Sequence, residues 1–323
     1  MRSPGRATDD RRTRRRDEEV AERPLLEVQE LKTYFYTQDG VVPAVDGVSF
    51  SLRRGGTLGL VGESGCGKSV TSLSIMRLIP HPPGRIVSGR ILFEGSNILD
   101  KSEAEMRRIR GNEISMIFQE PMTSLNPVFS IGDQIIEVIM LHQKVNKRVA
   151  RKKAIEMLKL VGIPSAESRI DEYPHQLSGG MKQRVVIMIS TILNPKVLVA
   201  DEPTSALDVS SQKIVIKLLV ELLKKGIIKG MIFITHELPL LRHFADRIAV
   251  MYAGKIVEVG PMEKIIFDPL HPYTRALISS VLVPEREIKG KKIEAIAGVP
   301  PNLKEPPRGC RFHPRCPYKK DKC

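Results

Sequence analysis

The eight residues Gly62-Glu-Ser-Gly-Cys-Gly-Lys68-Ser69 constrain the fold more than any other part of this chain. They follow a short apolar run at residues 58–61 and precede a helix-length apolar segment at residues 70–79 that stops at Pro80. This is the glycine-rich phosphate-binding pattern in its required place between a strand and a helix. Its glycines let successive backbone N–H groups point at phosphate oxygens, and the helix N-terminus adds a favourable dipole. The sequence therefore predicts an α/β core built around a phosphate loop.

Each residue of this loop has a predicted role in holding a nucleotide. Lys68 reaches the β- and γ-phosphates, and the Ser69 hydroxyl holds Mg²⁺. Cys66 lies beside Lys68 and a helix N-terminus, a setting that lowers a thiol pKa and favours the thiolate, although a small residue could simply fit there. The nucleotide-binding residues predicted from this segment are Gly62, Glu63, Ser64, Gly65, Cys66, Gly67, Lys68, Ser69 and Val70.

Two adjacent carboxylates, Asp201 and Glu202, follow the apolar run at residues 197–200. Neighbouring residues at a strand end face different ways, so the two can take separate roles. Asp201 is expected to position Mg²⁺, and Glu202 is expected to accept a proton from the attacking water. In isolation such a pair would more often be a solvated acidic strand end, and the other motifs of this chain make the catalytic interpretation the better one.

The remaining pattern predicts two β layers and a helical insertion. Runs at residues 25–28 and 48–52 flank an Asp39-Gly40 turn, which favours an antiparallel layer. Short apolar runs at residues 197–200 and 231–235 suit strands of a buried parallel sheet. We expect a disordered leader over residues 1–23, a nucleotide-binding domain over 24–268 with a helical subdomain at about 120–190, and a Pro- and Cys-rich C-terminal extension over 269–323.

Composition excludes some classes of function. The net charge of +14 invites a nucleic-acid interpretation, but the basic residues are spread along the chain without a nucleic-acid motif or an aromatic stripe, so we expect no nucleic-acid partner. No apolar run approaches the ~20 residues that a membrane-spanning helix needs. The first 23 residues lack the apolar stretch of a signal peptide. We therefore expect a chain that does not cross a membrane by itself.

Further motifs identify the class of phosphate-loop protein. The segment Leu177-Ser-Gly-Gly-Met-Lys-Gln183 resembles the signature of ATP-binding-cassette ATPases, and together with the phosphate loop it makes almost the whole chain from Leu25 similar to that family. The resemblance implies ATP and Mg²⁺ as cofactors and a head-to-tail dimer in which the signature loop of one subunit, through Ser178, Gly179 and Gly180, contacts ATP held by the other.

The same resemblance supplies roles for single residues. Gln119 matches a glutamine that touches Mg²⁺ and the attacking water and links to the membrane subunits. Asp208, which ends Ser205-Ala-Leu-Asp208, matches a loop that communicates across the dimer, and His236 matches a histidine that contacts the γ-phosphate and orients Glu202. An aromatic residue of the early β layer should stack on adenine. Phe35 is the favoured candidate, with Tyr34 and Tyr36 as alternatives.

Three stretches are similar to a narrower group, the ATPases of oligopeptide, dipeptide and nickel importers. They are Gln119-Glu-Pro-Met-Thr-Ser-Leu-Asn-Pro127, His271-Pro-Tyr-Thr274 and the segment from Gly309 to Tyr318. This implies two transmembrane permease subunits, a second nucleotide-binding subunit, an extracytoplasmic solute-binding protein and a place at the cytoplasmic face of the cell membrane. The alternative is a soluble cassette ATPase that acts in DNA repair or translation, which the positive charge would suit.

Three of the four cysteines, Cys310, Cys316 and Cys323, cluster at the end of the chain. Importers of this group carry a cysteine-rich tail that in some members binds a [4Fe–4S] cluster, and thiolates are the ligands that such a cluster needs. Arg311 and Arg315 could then offset the charge of the cluster. The family pattern has a fourth cysteine further on, which this sequence lacks, so zinc or three free thiols remain alternatives.

Overall fold

The computed structural model describes residues 23–119, 124–280 and 296–323. The expected leader falls outside this part of the chain except for Arg23. The strands are β1 (Leu26–Thr37), β2 (Gly40–Leu52), β3 (Thr57–Val61), β4 (Gly84–Phe93), β5 (Ser96–Asn97), β6 (Ile114–Ile117), β7 (Val197–Asp201), β8 (Gly230–Thr235), β9 (Arg247–Tyr252) and β10 (Lys255–Pro261).

The α-helices of the described residues alternate with these strands or lie between β6 and β7. They are α1 (Lys68–Ile75), α2 (Glu103–Ile109), α3 (Ile131–His142), α4 (Lys147–Leu160), α5 (Ala166–Arg169), α6 (Gly179–Thr191), α7 (Val209–Lys224), α8 (Leu238–Leu241), α9 (Met262–Phe267) and α10 (Pro272–Ser279). Short 3₁₀ turns span Ile98–Asp100, Pro174–Gln176 and His313–Arg315.

The central sheet runs in the order β10-β9-β3-β8-β7-β6, and only β10 is antiparallel to its neighbour. The strands β3, β7 and β8 are buried along their whole length, as expected for a parallel sheet covered on both faces. All the parallel strands end at the same edge. The loop after β3, the Asp201-Glu202 pair at the end of β7 and His236 after β8 therefore meet there.

A second, antiparallel sheet has the order β2-β1-β4-β5. Its long hairpin pairs Leu26 with Leu52 and closes at Thr37 and Gly40, which is the predicted turn. Residues on β1 alternate between buried and partly exposed, because one face of this sheet packs on the core and the other meets solvent. A second hairpin forms around Ala253-Gly254, between β9 and β10.

Helices α3 to α6 form the insertion between β6 and β7. In α4 the buried residues Ala150, Ala154 and Leu158 recur every four positions, which places them on one face of the helix. The outer face of α4 is rich in Lys and Arg. The α/β core, the antiparallel β layer and the helical insertion confirm the predicted fold class.

Candidate nucleotide-binding and catalytic site

The phosphate loop is shaped by close backbone contacts that only glycine allows. A Cβ at Gly62 would lie 2.1 Å from the Met251 carbonyl oxygen, and a Cβ at Gly67 would lie 2.3 Å from that of Ala44. Gly67 also has φ of 106°, in the left-handed region, and it directly precedes α1. The loop is therefore seated on β2 and β9 before any ligand contributes, with Ser64 and Gly65 exposed at its tip.

Lys68 is buried under this loop. Its Nζ donates hydrogen bonds to the carbonyl oxygens of Gly62 at 2.8 Å and Glu63 at 3.0 Å. These two carbonyls hold the ammonium group at the start of α1, beneath the turn whose N–H groups were predicted to bind phosphate. Lys68 can exchange these neutral acceptors for anionic phosphate oxygens, which make stronger hydrogen bonds.

Cys66 does not match the prediction of an activated thiol. The side chain is buried against the core, and burial raises the pKa of its thiol even though the nearby Lys68 charge works in the other direction. The reason is that the loop turns this side chain inward, next to Gly62, instead of toward the helix N-terminus. The alternative considered from the sequence, a small residue that fits the space, agrees better with the structure.

Asp201 has the properties of a cation ligand. It is 2% exposed, its Oδ2 accepts a hydrogen bond from the Ser72 hydroxyl at 3.1 Å, and its Oδ1 is buried without a hydrogen-bond partner. Burial raises the pKa of this carboxyl group, and the hydroxyls of Ser69 and Ser72 oppose the rise. Ser69, Gln119 and Asp201 line one cleft. Oxygen ligands on one side of a cleft, including an unpaired carboxylate oxygen, fit Mg²⁺.

Glu202 lies between the two side chains that were predicted to act with it. Its Oε2 accepts a hydrogen bond from Gln119 Nε2 at 3.3 Å, and its Oε1 is 3.2 Å from His236 Nδ1. The side chain of Glu202 is largely buried, whereas that of His236 is half exposed. The three residues come from the ends of β6, β7 and β8. The carboxylate is thus oriented from both sides.

The backbone of Glu202 carries strain that the sequence did not reveal. Its φ is +47°, a conformation that costs energy for a residue with a side chain. The conformation is held because its N–H donates to the Ile234 carbonyl, and its own carbonyl accepts from the N–H and hydroxyl of Ser205.

The signature segment lies at the start of α6. Ser178 caps this helix by accepting a hydrogen bond from the Met181 N–H, and Ser178 and Gly179 are exposed. Asp208 similarly caps α7 through the N–H and hydroxyl of Ser211, at 3.0 and 2.6 Å. A Cβ at Gly180 would lie 2.9 Å from that Ser211 hydroxyl, so the two helix starts pack together. The predicted nucleotide contact of Asp208 stays a prediction, and its helix-capping role was missed although Asp before a helix is a common capping signal.

Phe35 lies on β1, paired with Val42 on β2 and Gly84 on β4, and its ring packs against Gly84. Of the alternative residues, Tyr34 donates its hydroxyl to Asp46 at 2.9 Å, and Tyr36 is half exposed. The hydrogen bond commits Tyr34 to the β layer. Stacking of Phe35 on adenine stays a prediction.

The three C-terminal cysteines do not form a ligand group. Cys310 Sγ lies 3.9 Å from His271 Nε2, whereas the exposed Cys323 contacts the Lys320 N–H. All four cysteines fall in the described part of the chain, and that part contains no set of three or more His, Cys, Asp or Glu residues that could hold a metal ion. The expected iron–sulfur cluster is therefore unsupported. Arg311 and Arg315 pair instead with Asp46 and Glu63.

Comparisons with known proteins identify the family of this chain. The family model described as ABC transporter matches residues 45–205, and the one described as Oligopeptide/dipeptide transporter, C-terminal region, matches residues 257–323. The chain is 52% identical to the oligopeptide transport ATP-binding protein OppD of Bacillus subtilis, over 91% of this chain and 82% of that protein. It is 49% identical to the dipeptide transport ATP-binding protein DppD of the same organism, over 93% and 88%.

Solved structures show the same fold. The cbiO1 protein from Clostridium perfringens, part of the ABC transporter complex cbiONQ, is 30% identical and superposes with a TM-score of 0.64 over 76% of this chain and 92% of that one. A dimeric bacterial ABC transporter cassette, MJ0796, has a TM-score of 0.65 at 24% identity, over 73% and 98%. The chain is an ATPase of the ABC transporter family. Within that family it carries the C-terminal region of oligopeptide and dipeptide transporters.

Proposed function

We propose that this chain is the ATP-hydrolysing subunit of an importer for peptides or a related small solute. The observation that carries this proposal is the match of residues 257–323 to the C-terminal region of oligopeptide and dipeptide transporters, together with a complete phosphate loop. Relatives at about half identity are named as oligopeptide and dipeptide transport ATP-binding proteins. The described residues contain no helix long and apolar enough to span a bilayer. In the importer that we propose, permease subunits supply the channel.

The complex that we propose has three further kinds of subunit. Two transmembrane permease subunits bind the helical insertion, a second nucleotide-binding subunit completes the ATP sites, and an extracytoplasmic solute-binding protein delivers the cargo to the permeases. The chain then lies at the cytoplasmic face of the membrane. We also propose the division of the chain into a nucleotide-binding domain over residues 24–268 and an extension over 269–323. An iron–sulfur cluster is not part of the proposed function.

In the proposed mechanism the residues of this chain act on ATP and water. Lys68 and the N–H groups of the phosphate loop bind the phosphates. Ser69, Gln119 and Asp201 would hold Mg²⁺, which would supply positive charge to offset that of the phosphate oxygens. The Glu202 carboxylate, oriented by Gln119 and His236, takes a proton from the attacking water. Ser178, Gly179 and Gly180 of the second subunit close the site over the γ-phosphate.

A solute-uptake assay combined with affinity capture tests this function. Captured from detergent-solubilised membranes, the tagged chain should bring down membrane subunits, and deletion of its gene should abolish uptake of labelled di- or oligopeptides. Wild-type chain should restore uptake, and a Lys68→Ala chain of equal abundance should not. Capture of ribosomes or DNA with peptide uptake unchanged would favour the soluble alternative in translation or DNA repair and would reject the importer.

A further inference from the structure

Glu63, the second residue of the phosphate loop, is fixed at three points. Its backbone N–H donates to the Tyr273 hydroxyl at 3.0 Å. Its carboxylate accepts two hydrogen bonds from the Arg315 guanidinium, at 2.7 and 3.1 Å. Its carbonyl oxygen accepts from Lys68 Nζ at 3.0 Å. Two of these three contacts come from the C-terminal extension, which lies more than 200 residues further along the chain.

Burial and further hydrogen bonds hold the Arg315 side chain in this position. It is 5% exposed, its Nε donates to the Ala297 carbonyl at 2.9 Å, and its Nη1 also donates to the Tyr252 hydroxyl at 3.3 Å. Burial works against the charge of the guanidinium, but the hydrogen bonds with Glu63 and Tyr252 outweigh it and raise the pKa of Arg315. A buried bidentate arginine fixes the orientation of a carboxylate more firmly than a lysine can.

An aromatic cluster packs next to the contacts that Glu63 makes with Arg315 and Tyr273. Tyr252 ends β9 in the core, Tyr273 belongs to α10, and Phe312 precedes the last 3₁₀ turn. Their ring centroids lie 4.5 to 5.4 Å apart, in tilted and edge-to-face arrangements. All three side chains are almost completely buried. The extension and the core thus share one rigid cluster next to the loop.

The contacts of Glu63 affect Lys68, the residue that is predicted to bind phosphate. Lys68 rests on the carbonyl oxygens of Gly62 and Glu63, and it must leave them to bind a nucleotide. The place of Glu63 therefore sets both the shape of the loop and the resting position of its lysine. We propose that Arg315 and Tyr273 are positioning residues for the phosphate loop, so that the C-terminal extension sets the affinity of the chain for MgATP. This proposal rests on the proposed ATPase function.

Arg311 provides a matched control because it anchors the same extension elsewhere. Its side chain is 6% exposed and pairs with Asp46 on β2 and the Ala253 carbonyl oxygen, without touching Glu63. If Arg315 only fastens the extension, its loss should resemble the loss of Arg311. If Arg315 positions the loop, its loss should change nucleotide affinity beyond any effect on stability.

The test compares Arg315→Ala, Arg315→Lys, Arg311→Ala and Tyr273→Phe in the full chain, with thermal unfolding and titration of a fluorescent ATP analogue in the presence of Mg²⁺. We expect Arg315→Ala to weaken nucleotide binding about tenfold, which corresponds to about 1.4 kcal/mol. Arg315→Lys should restore part of the loss, and Tyr273→Phe, which removes only a hydroxyl, should cost about threefold. Arg311→Ala should lower the melting temperature and leave affinity within about twofold.

A double-mutant cycle with Glu63→Gln makes the test specific. Once Arg315 is alanine, Glu63→Gln should have little further effect on affinity. Equal affinity losses in Arg315→Ala and Arg311→Ala, or unchanged affinity in Arg315→Ala and Tyr273→Phe, would overturn the positioning role alone. A wild-type chain without affinity for MgATP would overturn the ATPase function and this proposal together.

Discussion

The phosphate loop and the signature loop bind the same kind of ligand in the proposed mechanism, yet they are built in opposite ways. Cys66, Gly67 and Lys68 are buried, and the loop that they form is held by β2, β9 and the C-terminal extension. Ser178 and Gly179 are exposed, and a Cβ at Gly179 would meet nothing closer than the Leu207 side chain at 4.0 Å. The phosphate loop is thus held in place by contacts within its own chain, whereas the signature loop is exposed.

This difference indicates that the two loops have separate roles in nucleotide binding by the proposed dimer. A loop whose backbone is held by neighbouring strands and by the extension can select and hold a nucleotide in a single chain, because its donors are arranged in advance. An exposed helix start with small residues gains its ligand only when a second subunit brings a nucleotide to it. Substitutions should therefore separate into those that impair nucleotide binding by one chain and those that impair only the assembled pair.

Substitution of Glu202 should reduce ATP hydrolysis more than any other proposed change affects the protein. Glu202→Gln keeps the shape of the side chain and removes its ability to take a proton, so turnover should fall roughly 10²–10⁴-fold in the assembled transporter, while MgATP still binds. The variant should also accumulate in an ATP-bound, closed form. Steady-state phosphate release and retained radiolabelled ATP measure the two effects. Turnover at the wild-type rate would refute the role of Glu202.

Two matched glycine substitutions sharpen the comparison at the level of stability. Gly62→Ala would place a methyl group against the Met251 carbonyl oxygen, so we expect a loss of about 1–3 kcal/mol in the free energy of unfolding. Gly179→Ala meets no such contact and should leave stability within about 0.5 kcal/mol. Denaturant unfolding of the two variants checks this. Equal losses in both would mean that the signature loop is as constrained as the phosphate loop.

A smaller effect is expected on the reactivity of the cysteine thiols. Burial raises the pKa of the Cys66 thiol, so at neutral pH its thiolate fraction falls below that of an ordinary cysteine, and its access is also restricted. Exposed Cys323 should therefore react with a maleimide faster than Cys66, by about tenfold or more. Mass spectrometry of peptides after brief labelling measures the rates. Faster labelling at Cys66 would restore the sequence-based prediction of an activated thiol.

The sequence predicts the elements whose signals are local. Turn chemistry and short apolar runs predict the strand, loop and helix around residues 58–79. They also predict the hairpin turn at Gly40 and the paired acids at the end of β7. The helix α1 ends at Ile75, before the predicted Ile79, and Arg77 adopts a positive φ. Helix ends depend on tertiary contacts that a local pattern does not contain.

What the sequence could not supply arises from contacts between distant residues. Arg315 and Glu63 are separated by 252 positions. The local sequence of the tail does not indicate that its arginines pair with carboxylates of the core instead of offsetting the charge of an iron–sulfur cluster. The burial of Cys66 depends on β2 and β9 packing over the loop. The strained backbone of Glu202 is held by β8. In each case the local pattern gives the residue type, and the fold decides what it contacts.

In the proposed dimer the two loops of one chain serve two different nucleotides. MgATP titration of the dilute, isolated chain carrying either Lys68→Ala or Gly179→Asp can separate the two roles. We expect Lys68→Ala to lose affinity by about 100-fold, as expected for removal of a charged contact to phosphate. Gly179→Asp should stay within about twofold of wild type and fail only in ATP hydrolysis by the assembled transporter. A Gly179→Asp chain that loses affinity as severely as Lys68→Ala would contradict this expectation, because the signature loop would then bind the nucleotide of its own chain.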